Sequence, residues 1–131
     1  MTNQPRPEIG AVSRYGFAET CARLQEAAQA MGFSVLGVHA VSETLASKGF
    51  ESIPVTVIEV CKAPMAALAL RNDPRVATMM PCPVAVVEDG SSVRVYTIDA
   101  RQMAALFEGP DLAELGLRMH EELERLIQTV A

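Results

Sequence analysis

The sequence predicts an α+β fold, with a mostly antiparallel sheet, helices packed on one face and a long C-terminal helix. Three observations support this prediction. Helix and strand patterns alternate along the chain, a short turn at residues 89–92 joins two strand patterns, and one apolar stripe runs through the C-terminal segment. Strands joined by a tight hairpin run antiparallel, which excludes an all-parallel sheet. Packing the helices on one face is then the simplest way to bury the apolar side of the sheet.

The first half of the chain predicts strands on either side of an amphipathic helix. We expect residues 1–8 to form a flexible tail and residues 9–14 a short strand. Apolar residues three and four positions apart then share one helical face. These residues are Phe17, Cys21, Leu24, Ala28 and Met31. Gly32 ends that helix, the apolar run 33–40 predicts a second strand, and residues 42–48 predict a short helical connection.

The middle of the chain predicts a third strand, a helix and a hairpin. Residues 55–60 are rich in β-branched side chains, which favour strands. Pro64 suits the first turn of the next helix, because its missing N–H would have no helical partner there. That helix is expected to end near Asn72. Residues 84–88 and 93–98 carry the strongest hairpin signal in the sequence.

The C-terminal part predicts two helices, a short one at residues 101–107 and a long one after Pro110. Asp111 suits the N-cap of the long helix, and Glu114 makes its first turn acidic. The apolar stripe of this helix consists of Leu112, Leu115, Met119, Leu123, Leu126 and Val130. A chain of 131 residues fits one domain of ordinary size. We therefore expect residues 9–131 to form a single α+β domain.

The composition argues against several classes of protein. The chain has 11 basic and 16 acidic residues, and its net charge of −5 would be repelled by nucleic-acid phosphates. It has four Phe, two Tyr and no Trp, which is few for a base-stacking surface. The polar N-terminus is unlike a signal peptide, and no stretch approaches the roughly 20 apolar residues of a membrane span. We expect a soluble cytoplasmic protein with reduced cysteines and no nucleic-acid or membrane partner.

Cys61 and Cys82 are the leading candidates for a functional site. Cys61 ends a strand just before a helix, and a helix N-terminus stabilises a thiolate and lowers its pKa. The adjacent Lys62 adds a positive charge. Cys82 opens the next strand, so antiparallel pairing would bring both thiols to one edge of the sheet. The alternative is that each is a packing residue at a strand end, as we expect for Cys21 on its helical stripe.

Three further candidates lie within three residues of the cysteines in sequence. Glu59 and Cys61 lie two residues apart and therefore project from the same face of the predicted strand. Glu59 is either a functional carboxylate that lines a groove or a solvated residue on an open sheet face. Met79 and Met80 precede Cys82, and with the thiols they would suit monovalent copper. Filling of the core is the commoner role of such methionines.

The remaining polar residues form no recognisable catalytic constellation. His39 and His120 are isolated, and they make neither a triad nor a zinc site. We expect His120, beside Glu121 and Glu122, on the solvated face of the last helix. The sequence contains neither a phosphate-binding loop nor a nucleophile elbow. Whether the protein holds a cofactor is unknown from the sequence.

The chain resembles the family called domain of unknown function 302. The resemblance rests on the cysteine, turn and alanine-rich helix of residues 57–66, the Asp73-Pro74 step, and the methionine-proline-cysteine segment that opens a valine-rich strand at 79–86. Residues 17–20 and 31–36 also resemble the start and end of the first helix of the family. The similarity covers about residues 13–129.

The resemblance implies a compact α+β fold with an antiparallel sheet, a long C-terminal helix and a homodimer. It implies no established activity, although members in sulfur-oxidising bacteria suggest thiol or sulfur handling. Two positions depart from the family: Lys62 stands where Asn is frequent, and Pro83 stands where Arg is frequent.

Three hypotheses of function follow. The first is a thiol site at Cys61 and Cys82, acting as a redox pair, a sulfur relay or a soft-metal site. The second is a non-catalytic module that binds a small apolar ligand in a sheet or dimer groove lined by methionines. These methionines are Met65, Met79, Met80 and Met103. The third is a protein-interaction domain with an exposed apolar patch.

Overall fold

The computed structural model describes residues 6–131, in which strands and helices alternate. The strands are β1 Glu8–Val12, β2 Ser34–His39, β3 Val55–Cys61, β4 Cys82–Asp89 and β5 Ser92–Ile98. The helices are α1 Phe17–Ala30, α2 Val41–Ser47, α3 Ala63–Asn72, α4 Ala100–Ala104 and α5 Leu112–Gln128, and a 3₁₀ helix spans Pro74–Met79. Within residues 6–131, no helix combines the length and the apolar character needed to cross a membrane.

The five strands form one sheet in the order β1-β5-β4-β3-β2, and every neighbouring pair is antiparallel. The predicted hairpin is confirmed: β4 and β5 pair up to Asp89 opposite Ser92. Gly90 in its turn has a φ of +65°, a conformation that side chains with a Cβ rarely adopt. The predicted α+β fold and long C-terminal helix are likewise confirmed.

Helices α1 and α5 cover one face of the sheet. Along β3, Thr56, Ile58 and Val60 are buried, whereas Val55 and Val57 on the opposite face are only partly covered, as the alternation of a strand requires. The main core lies between this face and the two helices. Its fully buried members include Leu24, Ala28, Val84, Val86, Val95, Leu123, Leu126, Ile127 and Val130. Burial of one such large side chain contributes about 1.5–3 kcal/mol.

A second, smaller core lies beyond the end of the sheet. Its buried members, Met65, Val76, Leu112 and Leu115, come from α3, the 3₁₀ helix and the start of α5. Helix α5 therefore contributes to both cores. Gly116 permits its close approach to α4, because a Cβ there would lie 2.7 Å from the Ala104 Cβ and 2.9 Å from the Ala100 carbonyl oxygen.

Several element boundaries differ from the sequence-based expectation. Strand β1 begins at Glu8, inside the predicted tail 1–8, and it ends at Val12; residues 1–5 of that tail lie outside the described part. Ser13, the residue after β1, still donates its N–H to the Val93 carbonyl of β5, and its hydroxyl lies 2.6 Å from the Thr20 hydroxyl. The 3₁₀ helix was not predicted, because its start depends on the side chain of Asp73, which accepts a hydrogen bond from the backbone N–H of Arg75.

Candidate functional site

An apolar pocket of about 110 Å³ lies between the end of the sheet and the smaller core. At this position β3 and β5 end and β4 begins, so residues from three adjacent strands contribute to one wall. Helices α3, α4 and α5 and the 3₁₀ helix supply the other walls. Apart from the sulfur-containing residues, its lining includes Val60, Ala66, Ala69, Val76, Ile98, Ala104, Phe107, Leu112 and Leu115.

Cys61 and Cys82 both line this pocket and both are free thiols. Their place at one end of the sheet follows from the antiparallel pairing of β3 with β4. Cys82 lies opposite Val60, so Cys61 is offset from it by one residue. On its other side, Cys61 lies opposite Ser34 of β2. The two cysteines are thus neighbours in the pocket but not directly opposed partners in the ladder.

Burial controls the ionisation of Cys82. Removal from water raises the pKa of this thiol to about 11, and the nearby charge of Cys61 acts in the same direction. A low-polarity environment disfavours the charged form of a thiol, and a second negative charge disfavours it further. Cys82 is therefore a neutral thiol at physiological pH.

Lys62 has a carboxylate partner that the sequence did not indicate. Its Nζ lies 2.9 Å from Oε2 of Glu122 on α5 and 4.7 Å from the centre of the Phe33 ring. Both charged side chains are largely covered. The ammonium expected beside the thiolate of Cys61 thus forms an ion pair that joins the start of α3 to α5.

Sulfur-containing side chains are concentrated in the pocket. The chain has three Cys and seven Met; nine of these ten lie within the described residues 6–131, and seven of the nine line the pocket. They are Cys61, Met65, Met79, Met80, Cys82, Met103 and Met119. Met80, a predicted candidate, is among them and also packs against the smaller core. Cys21 instead packs against the main core, where burial raises its thiol pKa.

Glu59 does not line the pocket. It projects from the face of the sheet opposite to Val60, where its Oε1 lies 2.6 Å from Nε2 of His39. Gly37 makes room for this pair, since a Cβ there would lie 2.8 Å from each of these two atoms. The structure thus pairs Glu59 with a histidine of β2, outside the lining of the pocket.

Two aspartate–arginine pairs hold the segments that flank the pocket. Asp73 accepts hydrogen bonds from the backbone N–H and guanidinium of Arg75 and from the backbone N–H of Glu108. Asp99 accepts the same two kinds of bond from Arg101. In each case the arginine bonds are the main reason why the carboxyl pKa lies well below its usual range. The repeated Asp-x-Arg spacing was the signal in the sequence that could have identified them.

The prediction for His120 was wrong, because its side chain is buried on α5 rather than solvated. Nε2 lies 3.2 Å from Oε2 of Glu124, and Nδ1 lies 3.7 Å from Oδ1 of Asp99. Nδ1 has no hydrogen-bond partner among residues 6–131. The position is covered because α5 packs against α4, which Asp99 caps.

The fold and the pocket define a small two-layer α+β domain with two cysteines in an apolar pocket at the end of its sheet. The chain belongs to the family described as "Domain of unknown function DUF302", which matches residues 9–130. The expected family is thereby confirmed. A similar solved structure is that of an uncharacterised conserved DUF302 protein from Bacillus stearothermophilus, with 25% sequence identity and a TM-score of 0.89. The alignment covers 95% of this chain and 98% of that one. A comparison with curated proteins gives no match.

Proposed function

We propose that this protein is a binding module that holds a small, soft ligand against the thiols of Cys61 and Cys82. The observation that carries the proposal is that both cysteines line the same apolar pocket. Its volume is about 110 Å³, and an apolar cavity of about 150 Å³ is known to bind benzene or xenon. The ligand is therefore a species of only a few heavy atoms.

The charges around the pocket restrict the ligand further. Among the described lining residues Lys62 alone is charged, and its ammonium is paired with Glu122. A multiply charged ligand would lose its hydration there without gaining an equivalent partner. A neutral ligand, or one whose charge is cancelled by a single thiolate, fits this environment.

Ligand binding has more support than disulfide chemistry. Side chains approach most closely where two residues are directly opposite in an antiparallel ladder, and Cys82 is opposite Val60 rather than Cys61. A disulfide would form more readily between two cysteines that were directly opposite each other in the ladder. The hypothesis of an apolar-ligand module requires a pocket lined by methionines, and the two cysteines line the same pocket as those methionines. The thiol hypothesis and the ligand-pocket hypothesis therefore concern one site.

The proposal is tested with two thiol reagents that differ in charge. The uncharged methyl methanethiosulfonate and the anionic sulfonatoethyl methanethiosulfonate are each reacted with the folded and the urea-unfolded protein, and mass spectrometry locates the product. Because burying an unpaired anion is costly, we expect the folded protein to prefer the uncharged reagent at Cys61 at least about tenfold more than the unfolded chain does.

A matched pair of variants on α3 separates the pocket from the surrounding surface. Ala66 lines the pocket, whereas Ala67 is exposed and does not. Ala66→Leu should slow the reaction of the uncharged reagent at Cys61, and Ala67→Leu should leave the rate unchanged. Equal reagent preference in the folded and unfolded states would contradict the proposal, as would equal rates for the two variants.

A further inference from the structure

The sulfur content of the pocket exceeds what an apolar core requires. Seven of the nine Cys and Met residues within residues 6–131 line this one pocket, although leucine, isoleucine and valine fill cores with better-defined shapes. Methionine is flexible and polarisable, so several thioethers can turn towards one bound atom. Thiolate and thioether groups are also the ligands that soft metal ions prefer.

The same lining does not contain the groups that harder ions prefer. Among the described residues around the pocket there is no Asp, Glu or His. Calcium and magnesium require oxygen ligands. Zinc sites usually assemble four ligands from cysteine, histidine and carboxylate side chains, whereas only two cysteines are present here. The set of donors therefore favours a soft ion that needs few thiolates.

The charges that line the pocket favour a monovalent ion. Among the described lining residues only Lys62 is charged, and its ammonium is paired with Glu122, so a thiolate of Cys61 would be the one uncompensated charge that faces the ligand. One thiolate and one monovalent cation leave the pocket neutral. A divalent cation would leave a buried positive charge without a partner, which is energetically costly.

We propose that the pocket binds a soft monovalent metal ion, Cu⁺, through the thiolate of Cys61 and neighbouring thioethers such as those of Met65 and Met80. This inference rests on the function proposed above, since it names the ligand of the same pocket. On binding, the S–H bond of Cys61 breaks, its proton passes to solvent and a Cu–S bond forms. Copper enters as Cu⁺ and remains Cu⁺, so no electron is transferred.

The test is an anaerobic titration of the full chain with Cu⁺ in competition with the chromophoric chelator bicinchoninate. We expect one Cu⁺ to be retained per chain, with release of one proton. Ag⁺ should displace it, and Zn²⁺ should not. X-ray absorption of the copper-loaded wild-type protein should show sulfur ligands alone, with more than one sulfur atom per copper. That spectrum needs no variant to fold.

Variants assign the ligands once circular dichroism has shown that they are folded. Removal of a residue that only hydrogen-bonds to a metal ligand lowers metal affinity about 10–100-fold. Cys61→Ser removes a ligand itself and should therefore lower the Cu⁺ affinity more than about a hundredfold. Met80→Leu removes the thioether at nearly constant volume and should lower the Cu⁺ affinity about tenfold. Cys21→Ser is the control, because Cys21 lies in the main core outside the pocket, and it should bind as the wild type does.

Two results would overturn the copper proposal: a wild-type protein that loses Cu⁺ to the chelator as readily as Cys61→Ser, or nitrogen or oxygen ligands in the absorption spectrum. The reagent experiment on Ala66→Leu distinguishes this failure from failure of the proposed function. If copper does not bind while the uncharged reagent retains its preference for the pocket, the copper inference alone is wrong. If that preference is also lost, the proposed pocket function is wrong as well.

Discussion

We predict that ionisation of Cys82 lowers the unfolding free energy of this protein at alkaline pH. The pKa of Cys82 is about 11 in the folded protein, mainly because the thiol is buried, whereas a thiol in an unfolded chain titrates near about 8.5–9. Because the pKa of Cys82 is higher in the folded than in the unfolded protein, the neutral thiol contributes to stability. This contribution is fully present below the pKa of the unfolded thiol and is lost as the pH rises through the pKa of the folded one. A difference of about two units corresponds to about 2–3 kcal/mol of unfolding free energy.

Urea unfolding at a series of pH values from about 8 to about 11, the interval between the unfolded and folded pKa of the thiol, measures this loss. Other groups also titrate in that interval, so the quantity of interest is the difference between wild type and Cys82→Ala. Cys82→Ala should be less stable at the lower pH, because it leaves a small cavity. The wild type should then lose about 2–3 kcal/mol more than the variant as the pH rises.

Cys61→Ser provides an independent control on the same thiol. The charge of Cys61 contributes to the raised pKa of Cys82, so removing it should lower that pKa and reduce the alkaline loss of stability. Parallel pH profiles for wild type and Cys82→Ala would refute the reasoning, because they would mean that Cys82 is not buried in the folded protein.

Three further predictions concern packing, acid stability and assembly. Gly116→Ala should lower the unfolding free energy in urea by about 1–3 kcal/mol, because its Cβ would overlap Ala104; an unchanged value would mean that α4 moves freely. Asp99 has a lowered pKa, so its stabilising contribution is present above its unfolded pKa and is lost as the pH falls towards the folded one. Asp99→Asn should therefore flatten the acid-unfolding profile, and an unaltered profile would contradict this. We also propose a homodimer in which the exposed edge strand β2 meets a second copy, since an unpaired edge with exposed apolar side chains such as Leu36 favours pairing. Light scattering should give twice the chain mass for wild type and the chain mass for Leu36→Glu, and a monomeric wild type would refute it.

The patterns of single elements were sufficient to predict much of the fold. The hairpin 89–92 and the stripe of α5 are local signals, because strand alternation and helical periodicity depend on neighbours in sequence. The position of Cys61 and Cys82 at one end of the sheet followed from antiparallel pairing alone. These features required no knowledge of how distant elements pack.

The pocket itself could not be predicted in this way. Met65, Met103 and Met119 come from three different helices, and only the packing of those helices on the end of the sheet brings them together. The burial of His120 likewise depends on how α5 is rotated against α4. Asp99 was overlooked because its role combines a helix cap with a side-chain ion pair, and neither follows from hydrophobic periodicity.

Our central proposal is that the thiols of Cys61 and Cys82 face an apolar pocket that accepts a small ligand. The most direct measurement is a crystal structure of the protein after reaction with one equivalent of methyl methanethiosulfonate. We expect a methylthio group joined to the Sγ of Cys61 in a mixed disulfide and packed against the side chains of Met65 and Met80. A group that points into solvent, or one attached to Cys21 in preference to the pocket cysteines, would contradict it.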